Sequence, residues 1–330
     1  MNGASGRACS DGLIAASGLT KDYGGGRGLF NASLRVDAGE VVGFLGANGA
    51  GKTVTMRILM GFVRADQGHA SLCGYDCFED RVHAQACVGY LPGEVALPGS
   101  MRAQTYLDYL ARVRGLGDTA RRDALVERFE LDESQRIKDM SKGTKQKVAI
   151  VSAFMGGSRV LLLDEPTSGL DPLMQARFDE LVLVERDRGA AILMSSHVFS
   201  EVERVCDRVV IVRSGHVTPP VAIREAMAGQ TRSMRVRLAS VDEAQRLVHG
   251  ERTEAGAGVQ WKVRAGEGPC VVDVDVTGRL SPFIRWLSEY EVVDLETRER
   301  RLEDLFMRFY TDELSGDNQS RSAIFEKRRQ

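Results

Sequence analysis

No run of apolar residues in this 330-residue chain approaches the roughly 18 that a membrane-spanning helix needs. The strongest short runs, VLLL (160–163) and VVIV (209–212), are strand-sized. The first dozen residues, MNGASGRACSDG, lack the apolar core of a signal peptide, so a loose leader is expected over 1–12. Charge of one sign is also missing. Lysine and arginine number 44 against 46 aspartate and glutamate, a formal charge of -2, and this balance gives no case for a nucleic-acid partner. The six cysteines, at 9, 73, 77, 87, 206 and 270, form no CxxC pair and have no histidine cluster nearby. That pattern argues against a metal ribbon and for the reduced thiols of a cytosolic protein.

The chain is long enough for one large domain and a smaller one. Residues 13–22 and 30–38 read as short alternating strands around the turn GGGRG, and VVGFLG (41–46) reads as a buried strand. An amphipathic segment, 52–61, follows, with Met56, Ile58, Leu59 and Met60 on its apolar face. Residues 87–91 look like another strand. From about 102 to 156 the helical period dominates and proline is absent, which predicts a helical subdomain. Strand signals return at VLLLD (160–164), AAILMSS (190–196) and RVVIVRSG (208–215), with a helix expected over 173–187. Alternation of strand and helix means a largely parallel sheet with helices on its faces. ThrProPro at 218–220 is the expected boundary. Beyond it SMRVRLA, VQWKVRA and PCVVDVDV alternate with period two, and helical pieces are expected around 280–289 and 300–310. The polar stretch 311–330 reads as a disordered tail.

GANGAGKT (46–53) fits G-x-x-x-x-G-K-[ST] between a strand and a helix. Gly49 and Gly51 let backbone amides turn toward phosphate oxygens, and Gly46, Ala47, Asn48, Ala50 and Val54 complete the loop and its exit. Lys52 can reach the outer phosphates and the Thr53 hydroxyl can hold Mg²⁺. The helix that follows points its positive end at the anion. VLLLDEP (160–166) then delivers Asp164 to the end of a buried strand, where its carboxylate can coordinate Mg²⁺ directly or through water. Glu165 follows as a candidate general base. His197, in LMSSHVF, leaves the same edge of the sheet, either as a polar sensor of the γ-phosphate or as a structural hydrogen-bonder. The other histidines, 69, 83, 216 and 249, sit in no such constellation.

DMSKGTKQKVAI (139–150) holds Lys142, Lys145 and Lys147 ahead of an apolar face made by Val148, Val151 and Met155. Ser141 can cap the helix that follows, and Gly143 permits close backbone approach. One of the three lysines is expected to face phosphate or a partner, with the others solvated. SGLD (168–171) precedes Pro172, so Asp171 can cap a helix in its own right.

The ordered series of phosphate loop, helical stretch, MSKGT, VLLLDEP, SGLD and histidine resembles the ATP-binding subunit of an ABC transporter, of the bacterial exporter type whose membrane-spanning part is a separate polypeptide. The resemblance runs over roughly residues 12–310. It implies an α/β fold: a P-loop NTPase (RecA-like) core, a small N-terminal antiparallel β subdomain, an α-helical signature subdomain over about 96–156 and a small C-terminal α/β extension. On that reading 13–218 is the ATPase domain and 219–310 the accessory domain. The cofactors implied are ATP and Mg²⁺, and the implied activity is ATP hydrolysis coupled to export, with a drug or another hydrophobic compound as the implied cargo.

MSKGT stands where that family usually has LSGGQ. By resemblance Ser141, Gly143 and Thr144 therefore face ATP held by a second copy of the chain, and Asp171 lies at that interface. Tyr23 matches the ring that stacks on adenine, with ordinary strand-end packing as the rival. In the family a glutamine follows the strand at 87–91, and its positional match here is Gly93. Either Glu94 reaches the metal instead or water replaces the contact. A polytopic membrane-spanning subunit is the implied partner, docking over about 96–125, and the implied place is the cytoplasmic face of the cell membrane. RRLEDLFMRFY (300–310), with Leu302, Leu305, Phe306 and Phe309, resembles the segment that closes such chains. The alternatives are a soluble ATPase switch acting on a macromolecule and a weakly hydrolysing ATP-binding scaffold. Only one phosphate loop and a short spacing from Lys52 to Met140 weigh against the first. Glu165 and His197 weigh against the second.

Overall fold

A computed structural model describes residues 12–223, 231–249 and 260–298. The expectations for 1–11, 300–310 and the tail lie outside these residues. The chain divides into two compact units, Met1–Ile223 and Arg224–Gln330. Among the described residues no helix is long and apolar enough to cross a membrane.

The first unit opens with β1 (Ile14–Asp22) and β2 (Gly28–Val36), joined antiparallel by the glycine-rich turn. β4 (Gln67–Leu72) pairs with the other edge of β1, and the short β5 (Tyr75–Asp76) closes a four-stranded sheet in the order β2-β1-β4-β5. QGHASL gives no clean sequence signal for β4, since only its last three positions alternate between buried and half-buried while its first three are exposed. A short helix, α2 (Arg81–Ala86), follows.

The second sheet carries the function. β3 (Val41–Leu45), β6 (Val88–Leu91), β7 (Val160–Asp164), β8 (Ala191–Ser196) and β9 (Arg208–Arg213) run parallel in the order β9-β3-β8-β7-β6. Every residue of β3, β7 and β8 is buried, as continuous apolar runs in a sheet covered on both faces require. β10 (His216–Val217) and β11 (Val221–Ala222) add antiparallel pairings to β9. The ThrProPro step is therefore not the end of this unit. Thr218 bonds Ile211 through its backbone N–H and its side chain, the chain pairs once more with β9, and the compact unit runs to Ile223.

The proline-free stretch forms α3 (Ala103–Val113), α4 (Ala120–Arg128), a 3₁₀ turn (Ile137–Asp139) and α5 (Lys142–Phe154). α6 (Pro172–Asp187) and α7 (Phe199–Val205) follow β7 and β8. Val148, Val151 and Met155 are buried as the spacing predicts, and so are Ile150, Ala153 and Phe154, because α5 packs against β6 as well as α3 and α4.

In the second unit β12 (Thr231–Leu238), α8 (Val241–His249), β13 (Gln260–Ala265), β14 (Val271–Thr277), α9 (Leu280–Leu287) and β15 (Val292–Arg298) form a β-α-β-β-α-β unit. Its sheet has the order β13-β14-β12-β15 with every pairing antiparallel. Val236, Val272, Val274, Val276, Leu247 and Phe283 make its own core. The opposite face carries a row of alternating charge, in which Arg264 opposes Asp273, Asp273 opposes Arg235, and Arg235 opposes Glu296.

Candidate active site

Four adjacent strand ends, those of β3, β8, β7 and β6, converge at one edge of the parallel sheet, where ligands bind in open α/β sheets. β3 passes into the phosphate loop. At Gly46 any Cβ would lie 2.4 Å from the Val212 carbonyl oxygen, so only glycine lets the loop leave the strand here. Gly49 (φ 81) and Gly51 (φ 121) adopt left-handed backbone that side chains resist. α1 (Lys52–Leu59) then starts at Lys52 with no acidic residue in its first turn, so its positive end is unopposed.

Lys52 is buried. Its Nζ donates to the Gly46 carbonyl and lies 3.0 Å from Glu165 Oε1, outside hydrogen-bonding geometry. The Thr53 hydroxyl donates to Asp164 Oδ2 at 3.1 Å, and Ser195 Oγ donates to Asp164 Oδ1. Asp164 is thus buried at the end of β7 with a hydroxyl on each oxygen. Glu165 takes φ 48, a conformation that costs a non-glycine residue about 1–2 kcal/mol. Its N–H bonds the Ser195 side chain (3.1 Å) and carbonyl (3.2 Å), which holds the turn and aims the carboxylate back over the loop. Glu165 Oε2 meets His197 Nδ1 at 2.6 Å, while Oε1 is buried without a hydrogen-bond donor.

A cavity of about 680 Å³ lies over these groups. Ala47, Asn48, Gly49, Gly51, Lys52, Thr53 and Val54 line one side, and Asp164 and Glu165 the floor. Tyr90, Gly93 and Glu94, at the end of β6, form the far wall. Burial, then the nearby Asp164 carboxylate, pushes the Tyr90 phenol up, so it stays neutral there. A Cβ at Gly93 would sit 3.0 Å from Asp164 Oδ2, so the glycine is what leaves that carboxylate room.

Several expected residues stand outside this cavity. Gly46 and Ala50 support the loop from behind, Ala50 through a carbonyl that accepts from Gly215 N–H. Tyr23 is half-exposed in the β1–β2 turn, where its ring lies under the Lys21 ammonium, and it does not line the cavity. His197 reaches the site only through Glu165. Histidines 69, 83, 216 and 249 are exposed.

Ser141, Gly143, Thr144 and Asp171 form a separate patch. Ser141 Oγ caps α5, accepting from Thr144 N–H at 3.1 Å, and Asp171 Oδ1 caps α6, accepting from Met174 N–H at 3.0 Å. Gly143 packs on the Gly169 carbonyl, which a Cβ would approach to 2.6 Å. Lys142 faces neither phosphate nor solvent alone: its ammonium donates to Ser168 Oγ at 2.9 Å within the same chain. Gln146, buried, donates to the Pro166 carbonyl at 2.7 Å. Gln146 and Ser195 were not singled out from the sequence. Polar side chains inside otherwise apolar stretches, QKVAIV and ILMSS, were the available signal.

A hydroxyl and a carboxylate oxygen facing one phosphate cradle make a hard-oxygen donor pair suited to Mg²⁺. Thr53 and Asp164 fit that ion.

The family model described as "ABC transporter" matches residues 29–168. The daunorubicin resistance ATP-binding protein DrrA3 of Streptomyces coeruleorubidus is 30% identical over 321 residues, covering 92% of this chain and 98% of that protein. The chain belongs to the ATP-binding proteins of ABC transporters. It is an ATPase subunit, and its hydrolysis of ATP powers a transporter. A solved structure described as the ATP binding subunit of an ABC transporter superposes on this cassette with a TM-score of 0.61 at 30% identity, covering 66% of this chain and 92% of that one. A dimeric bacterial ABC transporter cassette, 20% identical, shares the fold with a TM-score of 0.58, covering 64% of this chain and 99% of its own.

Proposed function

We propose that this cassette drives an exporter whose membrane-spanning subunit is a separate polypeptide, and that two copies sandwich two ATP molecules between them. The observation that carries this reading is the split site. One half, Lys52, Thr53, Asp164 and Glu165, lines a single cavity with His197 bonded to Glu165 beside it, while the capped signature patch lies outside that cavity.

Lys52 and the amides of 47–53 hold the β- and γ-phosphates, and Tyr23 stacks on the adenine. Thr53 and Asp164 hold Mg²⁺, which when bound neutralises charge developing on the phosphate oxygens. Glu165 orients the attacking water and takes its proton. His197, bonded to the same carboxylate, fixes its direction and faces the γ-phosphate. Ser141, Gly143 and Thr144 present the N-terminus of α5 to the ATP of the second copy, and Asp171 meets that copy across the interface. Glu94 lines the same cavity next to Gly93 and is the candidate to take over from the side chain Gly93 lacks.

The membrane partner is expected to dock on the helical stretch 96–125 at the cytoplasmic face of the cell membrane. The daunorubicin resistance relative, matched over nearly its whole length, favours a drug or other hydrophobic compound as cargo. Affinity purification of this chain from detergent-solubilised membranes, followed by efflux of daunorubicin from cells holding the recovered pair, tests the reading. A polytopic partner and efflux lost in Lys52→Ala support it. Recovery with ribosomes or nucleic acid and no membrane protein contradicts it.

A further inference from the structure

We infer that Glu201 is a positioning residue that sets the Glu165–His197 pair, an inference that rests on the catalytic reading of that pair. Glu165 and His197 leave two different strands, β7 and β8, and must meet at 2.6 Å. The bond between them is partly open to solvent, His197 being 55% exposed, so it does not hold two loops in register alone. Behind it, out of the cavity, lies a buried carboxylate in the first turn of α7.

Glu201 Oε1 accepts the Thr167 hydroxyl at 2.5 Å, and Oε2 accepts the Ser196 hydroxyl at 2.6 Å. Ser196 immediately precedes His197, and Thr167 lies two residues past Glu165. One carboxylate therefore straps together the two turns that carry the catalytic pair. Ser196 Oγ also accepts from Val198 N–H at 2.9 Å, so the backbone on both sides of His197 is tied to the same point.

A plain role in starting α7 would need only the Ser196 contact. The bond to Thr167, 34 residues away in sequence, has no part in capping that helix. Arg204, the cation one turn along α7, pairs with Asp179 rather than Glu201, so the two hydroxyls are what stabilise the buried charge. Charge-assisted bonds of this kind are short and directional, which suits a device that fixes geometry.

The test compares Glu201→Gln, Thr167→Val, Ser196→Ala and Thr167→Ser with wild type and with Glu165→Gln in the full-length chain. Each protein is measured for kcat and KM in ATP hydrolysis, for affinity toward a fluorescent ATP analogue, and for thermal midpoint. Thr167→Val and Glu201→Gln are expected to lower kcat roughly tenfold or more while analogue affinity changes less than about twofold. Thr167→Ser, which restores the hydroxyl, is expected to return most of the lost kcat. Thr167→Val and Ser196→Ala leave the carboxylate in place and carry the test should Glu201→Gln not fold. Wild-type kcat in Glu201→Gln, Thr167→Val and Ser196→Ala alike, or kcat and affinity falling together with the thermal midpoint without recovery in Thr167→Ser, overturns the inference alone if Glu165→Gln is inactive. A Glu165→Gln protein that turns over normally overturns the catalytic reading as well.

Discussion

Gly93 shows how one missing side chain shapes the site. A glutamine is expected by resemblance at this place, yet Asp164, pinned by Thr53 on one oxygen and Ser195 on the other, lies 3.0 Å from where a Cβ would begin. Because Asp164 is bonded on both sides, moving it aside disturbs the metal pair itself. Gly93→Ala is expected to cost on the order of 1 kcal/mol in metal binding, raising the Mg²⁺ concentration for half-maximal hydrolysis about fivefold. A titration of ATPase rate with Mg²⁺ checks this, and an unchanged half-point means that Asp164 yields freely. The residue types of the site were readable from the sequence because phosphate and metal chemistry demands glycine, lysine, hydroxyl and carboxylate in a fixed order. The left-handed turn at Glu165 was not readable. It depends on Ser195, a residue of another strand, and no local pattern announces a contact between β7 and β8.

At the level of elements, α5 and α6 each begin on a side chain that has two duties. Asp171 caps α6 through Met174 N–H and is also proposed to face a second copy. The two roles separate by substitution. Asp171→Ala loses the cap, about 1 kcal/mol, and is expected to lower the thermal midpoint of this unit by roughly 2–4 °C. Asp171→Asn keeps an equivalent acceptor and is expected to melt near wild type while weakening ATP-dependent dimerisation. Differential scanning calorimetry and sedimentation read the two effects independently, and Asn melting as low as Ala contradicts the capping account. Elements with long apolar runs or a strict period were legible: β3, β7, β8, α1, α6 and the alternating β12, β13 and β14. β4, β5 and α2 were not, because QGHASLCGYD is punctuated by glycine and exposed polar residues and owes its pairing to β1. β11 was hidden by the two prolines before it, which read as a boundary although the chain still had a strand to pair.

The whole molecule is two units with separate cores, and the cavity over the phosphate loop is lined by residues of the first. Both tryptophans of the chain, Trp261 and Trp286, lie in the second, with Trp261 and Trp286 ring centroids 5.2 Å apart. Tryptophan fluorescence therefore reports that unit. ATP bound at a hundred times its dissociation constant adds about 2.7 kcal/mol to the unit that binds it. Melting of the full chain with ATP and Mg²⁺ is expected to shift the far-UV circular dichroism transition upward. A shift confined to the tryptophan transition contradicts the assignment of the site to the first unit.

The central claim, that Glu165 is the base of a site completed by a second copy, is tested most directly with Glu165→Gln in ATP and Mg²⁺. Turnover is expected to fall by roughly 10²–10⁴, the contribution typical of a general base, with ATP still bound. Analytical ultracentrifugation of the same sample is expected to show a dimer that wild type does not accumulate. A monomer with ATP bound, or a substituted enzyme that hydrolyses at the wild-type rate, would contradict the account.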